Sequence, residues 1–185
     1  MLAGAAAGCL GPGPRPQGAG GPPSSCDPLF AWETDSRWDL AVLDGPVSVA
    51  PGGVVRAGMT PYHPRTATVT LPAGGGGPTA GAVMDALGSE VGAPLAAPGR
   101  RTTEVARHAD IRFEDAARPV SYAALRFVTA AFRYHCAGDQ DVRSGGRVLT
   151  WDKASLTVGL VDCDGPRDRN PDSEPARLAV ELRCT

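Results

Sequence analysis

The last third of the chain, Ser121 to Cys184, most limits what the whole can fold into. It holds three of the five cysteines and the strongest alternation of apolar and polar residues. Ala176, Leu178, Val180, Leu182 and Cys184 alternate with Arg177, Ala179, Glu181 and Arg183. A period of two marks a strand with one buried and one wet face, so 176–184 is expected to be a strand. Upstream, Leu156, Val158 and Leu160 interleave with Thr157, Gly159 and Val161, apolar on both sides, as in a strand covered on both faces. Between them, 162–175 is rich in Asp, Pro, Gly and Asn, the chemistry of turns. The pair therefore reads as an antiparallel hairpin with a long loop.

The segment 121–137 admits two readings, and the fold class depends on it. As a strand, Val128, Ala130, Phe132, Tyr134 and Cys136 share one face, opposite Thr129, Ala131, Arg133 and His135. As a helix, Arg126, Thr129 and Arg133 form a polar stripe, with Ser121 placed to cap the start and Gly138 to stop it. Alanines favour the helix; Phe, Val, Thr and Tyr favour the strand. The strand is preferred because the neighbours on both sides read as β.

Further short strands are expected around Trp38–Val42, Val47–Val49, Val54–Ala57, Thr66–Leu71 and Val105–Phe113, separated by turn residues such as Asp44-Gly45-Pro46 and Pro51-Gly52-Gly53. Ala80, Val83, Met84, Leu87 and Val91 fall on one helical face after Thr79, a capping residue. The expected fold is mainly β, an antiparallel β-sandwich with one short helix near 79–91; the alternative is α+β with a helix at 121–137.

Composition narrows the function classes. The chain has 185 residues, enough for one domain with a sizeable core plus a tail. Its net charge is −2, and Lys153 is its only lysine. From Arg100 to Arg147 there are nine arginines against six acidic residues, an excess read as a solvated face. No zinc-finger, RNP or helix-turn-helix pattern accompanies it, so nucleic acid is not an expected partner. The four glycines Gly74–Gly77 are not followed by GK[ST] and do not make a phosphate loop.

Residues 1–25 are dominated by Gly, Pro and Ala without periodicity. Within them Ala6, Ala7, Gly8 and Cys9 resemble the end of a prokaryotic lipoprotein signal, in which small residues precede a cysteine that becomes the lipidated N-terminus. The resemblance implies that Cys9 is acylated, that the gene encodes a start upstream of Met1, and that Leu10–Ser25 is a flexible tether. The simpler reading is a short Ala/Gly-rich tail. The division that follows is 1–25 as signal remnant and tether, and 26–185 as a single disulfide-bonded β domain.

Chemistry-bearing residues are sparse. His63, His108 and His135 have no i, i+4 pairing and no H-E-x-x-H, so any catalytic site would assemble only in space. Asp162, Asp164, Asp168, Asn170, Asp172 and Glu174 offer oxygen ligands to calcium, but their spacing departs from the EF-hand loop, so a plain loop is favoured and no metal or cofactor is assigned. With Cys9 lipidated, four cysteines remain, an even number suited to an oxidising compartment. A meander of 125–136, 148–161 and 176–184 would place Cys136 with Cys184 and leave Cys26 for Cys163. The expected function is an exported, outward-facing lipid-anchored or secreted binding module. Its partner would be a protein or glycan of the cell envelope, with membrane contact through the anchor only. A secreted hydrolase built around His108, His135 and a carboxylate is the competing reading.

Overall fold

In the computed structural model, residues 27–57, 60–71, 77–105, 109–137, 144–165 and 171–184 are described. Among the described residues the fold is mainly β and antiparallel, with two α-helices. Its axis is one long strand, β5 (Pro119–Cys136), which answers the 121–137 ambiguity in favour of the strand. Along one edge β5 pairs with β1 (Pro28–Asp44) over nearly its full length. Its other edge is divided: β6 (Ser144–Trp151) takes 127–134 and β7 (Thr157–Asp162) takes 119–124. The short strand β3 (Thr68–Thr70) adds to β6. The expected strand at 148–161 is thus two strands laid end to end, interrupted by a 3-10 turn at Lys153–Ser155.

That interruption is closed by side chains. Arg126, on β5 opposite the gap, donates its N–H to Ser155 Oγ (2.8 Å) and accepts from the Asp152 N–H (3.0 Å). Asp152 Oδ1 caps the turn by accepting from the Ala154 N–H (2.8 Å). The backbone groups of Arg126 would otherwise go unpaired where the ladder changes strand, at a cost of ~1–3 kcal/mol each where buried.

The β1–β5 ladder does not stop at Asp44. The chain turns through Gly45 and a cis Pro46, Val47 and Val49 pair with Pro119 and Ala117, and β2 (Val54–Ala57) pairs with β4 (Ala109–Arg112). The register slips once between Leu40 and Val42 and once at the Gly45–Pro46 turn. The two-stranded β2–β4 sheet is therefore an outward continuation of the same ribbon. Gly45 has φ +101°, and a Cβ there would stand 2.6 Å from the Pro119 carbonyl oxygen, so only glycine passes this corner unstrained.

Three packed layers hold the sheet. Helix α1 (Ala80–Val91) begins at Thr79, whose Oγ accepts from the Ala82 N–H, and ends at Gly92 in the left-handed region. It sets Val83, Met84 and Leu87 against Val128, Ala130, Phe132 and Val148. Each such side chain contributes roughly 1.5–3 kcal/mol on burial. Phe30 and Trp32 join this cluster, with ring centroids 5.7 and 5.3 Å from Phe132. Further along β5, helix α2 (Glu174–Arg183) lays Ala176 and Ala179 on Leu43, Tyr122 and Val161. On the opposite face the loop segment 94–105 covers Leu125, Phe127 and Trp151.

Helix α2 corrects the expectation of a strand at 176–184. Ser173 caps it, accepting from the Ala176 N–H at 3.3 Å, and Pro175 follows in the first turn. The alternation was real but does not describe burial: Leu182 is 45% exposed, while Ala179, on the supposed wet face, is fully buried. Ala176, Ala179, Val180 and Cys184 form the inner stripe at helical spacing. The hairpin between 156–161 and 176–184 is therefore not formed.

Candidate functional site

The helix changes the crosslinks. Cys184 lies at the C-terminus of α2, beside the end of β7, and bonds Cys163 with Cα atoms 5.0 Å apart. The expected Cys136–Cys184 and Cys26–Cys163 pairs give way to this bond, because a helix returns Cys184 to its neighbouring strand instead of the far end of a meander. Cys136 is disulfide-bonded as well. Cys9 and Cys26 lie outside the described residues.

The histidines do not meet where they are described. His135 pairs with Leu29 near the start of β1, whereas the backbone of Tyr62, which stacks edge-on with His63, bonds Ala41. From Leu29 to Ala41 is a dozen residues, roughly 40 Å at about 3.3 Å per residue. His108 lies outside the described residues. In the acidic loop, Asp162 Oδ1 accepts from the backbone N–H of Arg118 (2.8 Å) and of Asp164 (3.2 Å), and Asp164 faces the Arg118 guanidinium at 3.3 Å. Asp172 and Glu174 lead into α2, and Asp168 and Asn170 lie outside the described residues. Among the described residues no group of three or more His, Cys, Asp or Glu could hold a metal ion, and no helix is long and apolar enough to cross a membrane.

Two surfaces carry chemistry. The first is the face of β1–β5–β6–β3 opposite α1. Register places Glu33, Ala131, Arg147 and Thr70 in one row across four strands, and Asp35, Thr129, Leu149 and Thr68 in the next. Ala31 and Arg133 form a third row with Gly145. A groove of about 510 Å³ runs over the first two rows, with a smaller hollow of about 250 Å³ at Ala31, Ala131 and Arg133. Glu33, Asp35, Arg133 and Arg147 are exposed and have no ion-pair partner among the described residues. Acids lie on β1 and arginines on β5 and β6, with alanines and threonines between them.

The second surface lies on the same side of the sheet, further along β5, where the loop segment 94–105 packs. Ala96 N–H donates to the Trp151 carbonyl (2.9 Å), Lys153 N–H to that of Pro94 (2.8 Å), and the buried Thr150 hydroxyl to that of Ala96 (2.8 Å). These bonds bring Arg100, Arg101 and Glu104 to the same rim as Lys153, above Leu125 and Trp151. Sequence reading missed both surfaces, since each joins residues far apart in the chain. Comparison with protein-family models, curated proteins and solved structures finds no match to this chain.

Proposed function

We propose that this chain is an exported, lipid-anchored binding protein of the cell envelope, acylated at Cys9, which holds an extended segment of an envelope protein on the open face of the β1–β5–β6–β3 sheet. The observation that carries this reading is the asymmetry of that sheet: α1 packs a hydrophobic core on one side, while the other presents a groove with unpaired acids and arginines. Residues spaced by two along strands about 4.8 Å apart give the ligand regular rows to read. The face spans roughly 14 Å by 20 Å, below the ~800 Å² per partner of a standard globular interface, which suits a segment of chain. Disulfides at Cys163, Cys184 and Cys136 support an oxidising compartment.

The test is photo-crosslinking in the protein's own cells, with a benzophenone side chain replacing Thr129 in the groove or Glu90 on the outer side of α1. A discrete protein adduct from position 129 and none from position 90 is expected. A glycan adduct would change the ligand class, and equal or absent adducts from both positions would refute the site. Anchoring is read separately, by incorporation of labelled palmitate that the Cys9→Ala variant abolishes.

A further inference from the structure

A pocket of about 330 Å³ lies where the chain leaves β6 for the 3-10 turn at Lys153–Ser155. That volume is at the small end of the roughly 300–1,000 Å³ typical of small-molecule sites. Its floor is apolar: Leu125 and Trp151 are 1% and 4% exposed, with Val105 and Leu156 half-buried beside them. Its rim is cationic, with Arg100, Arg101 and Lys153 set against a single acid, Glu104.

Glu104 is already engaged on both oxygens. Oε1 accepts from the Arg101 backbone N–H (3.2 Å), and Oε2 pairs with the Arg100 guanidinium (2.5 Å). Arg100 is thereby neutralised, while the Arg101 guanidinium and the Lys153 ammonium have no ion-pair partner among the described residues. Two exposed cations without an ion-pair partner among the described residues thus stand over an apolar floor. Such a site discriminates by chemistry. Inorganic phosphate would touch only the rim and gain nothing from the floor, and a neutral apolar molecule would gain nothing from the two cations. A carboxylate on a rigid apolar body satisfies both, with charge-assisted hydrogen bonds at one end and buried area at the other.

We infer that this pocket binds a small organic anion, an aryl or medium-chain carboxylate, at a site separate from the open face proposed for the protein partner. Its carboxylate lies between Arg101 and Lys153, and its apolar body rests on Leu125, Trp151 and Val105.

Lys153 supplies the assay, because it is the chain's only lysine. In protein produced without the lipid, an amine-selective acylating reagent modifies Lys153 and the terminal amine, and peptide mass spectrometry separates the two, so that the terminal amine serves as an internal control for reagent strength. With 2-naphthoate as probe, Lys153 modification is expected to slow several-fold while the terminal amine is unaffected. The neutral analogue 2-naphthylmethanol and inorganic phosphate should not protect. Calorimetry should show naphthoate binding about tenfold more weakly to the Arg101→Met variant, the loss expected for one charge-assisted bond. Arg56→Met, on β2, should bind as the parent does. Circular dichroism verifies that both variants are folded. Equal protection by naphthoate and naphthylmethanol, protection by phosphate alone, absence of protection, or unchanged affinity in folded Arg101→Met would each overturn the assignment.

Discussion

Breaking the Cys163–Cys184 bond by a double Cys→Ala substitution should release α2 before the rest of the domain. The bond closes a loop with a sequence separation of 21. Loop-closure entropy for that length gives about 3.3 kcal/mol at 25 °C. The other hold on the helix is its packing, which is modest. It has ten residues, too few to be stable alone, and its fully docked side chains are Pro175, Ala176 and Ala179. Leu178 and Val180 are only partly buried. Methyl-sized groups contribute ~0.8 kcal/mol each, so crosslink and packing are of similar weight. Amide exchange over 177–184 should therefore accelerate on the order of 100-fold, and Tm should fall by roughly 10 °C. Exchange in β5, measured under the same conditions, should change less than exchange in α2. If the α2 amides keep their protection in the folded double variant, packing alone retains the helix and the reasoning fails.

Three further outcomes follow from particular contacts. Gly45→Ala should cost about 2 kcal/mol in urea denaturation, since φ +101° and the Pro119 carbonyl both exclude a Cβ; a loss below ~0.5 kcal/mol would show that the corner relaxes freely. Thr150→Val, nearly isosteric, should cost about 1–2 kcal/mol by leaving the Ala96 carbonyl without its 2.8 Å donor, with no change in the slope of the denaturation curve. Non-reducing peptide mapping should find Cys136 joined to Cys26, because Cys163 and Cys184 are taken and Pro28, two residues from Cys26, pairs directly with Cys136; a Cys9–Cys136 link would overturn both that pairing and acylation at Cys9.

The two ends of the 121–184 region were unequally legible, and burial explains why. In β5 a helical stripe of Arg126, Thr129 and Arg133 competed with the strand pattern, and all three are exposed. They are exposed for different reasons. Thr129 and Arg133 point to the open face, whereas Arg126, of the opposite parity, falls between the footprints of α2 and α1. Gaps in the covering layers thus imitated a helical period. In α2 the reverse occurred, with an alternating sequence on a helix. Ser173 and Pro175 carried the helix-start signal, and Arg, Glu, Leu and Ala favour helix. Alternation outweighed them because it counts apolar residues and cannot see that Ala179 is buried and Leu182 is not.

The arginine excess between Arg100 and Arg147 shows why the sites lay beyond sequence reading. As a count it describes a solvated face, and several members fit that description. In the structure the same residues divide into distinct tasks. Arg118 ties the end of β7 through Asp164, and Arg126 approaches Asp152 at 3.6 Å where the ladder changes strand. Arg133 and Arg147 flank the open groove, and Arg100 and Arg101 rim the apolar pocket. Nothing local in the sequence separates these tasks, because the deciding neighbours come from elsewhere in the chain. Lys153 reaches the Arg101 rim only because the Leu95–Asp152 bridge seats the loop segment 94–105 against the end of β6. A cation becomes part of a site when the groups that would neutralise it are used elsewhere, as Glu104 is by Arg100; that accounting exists only after folding.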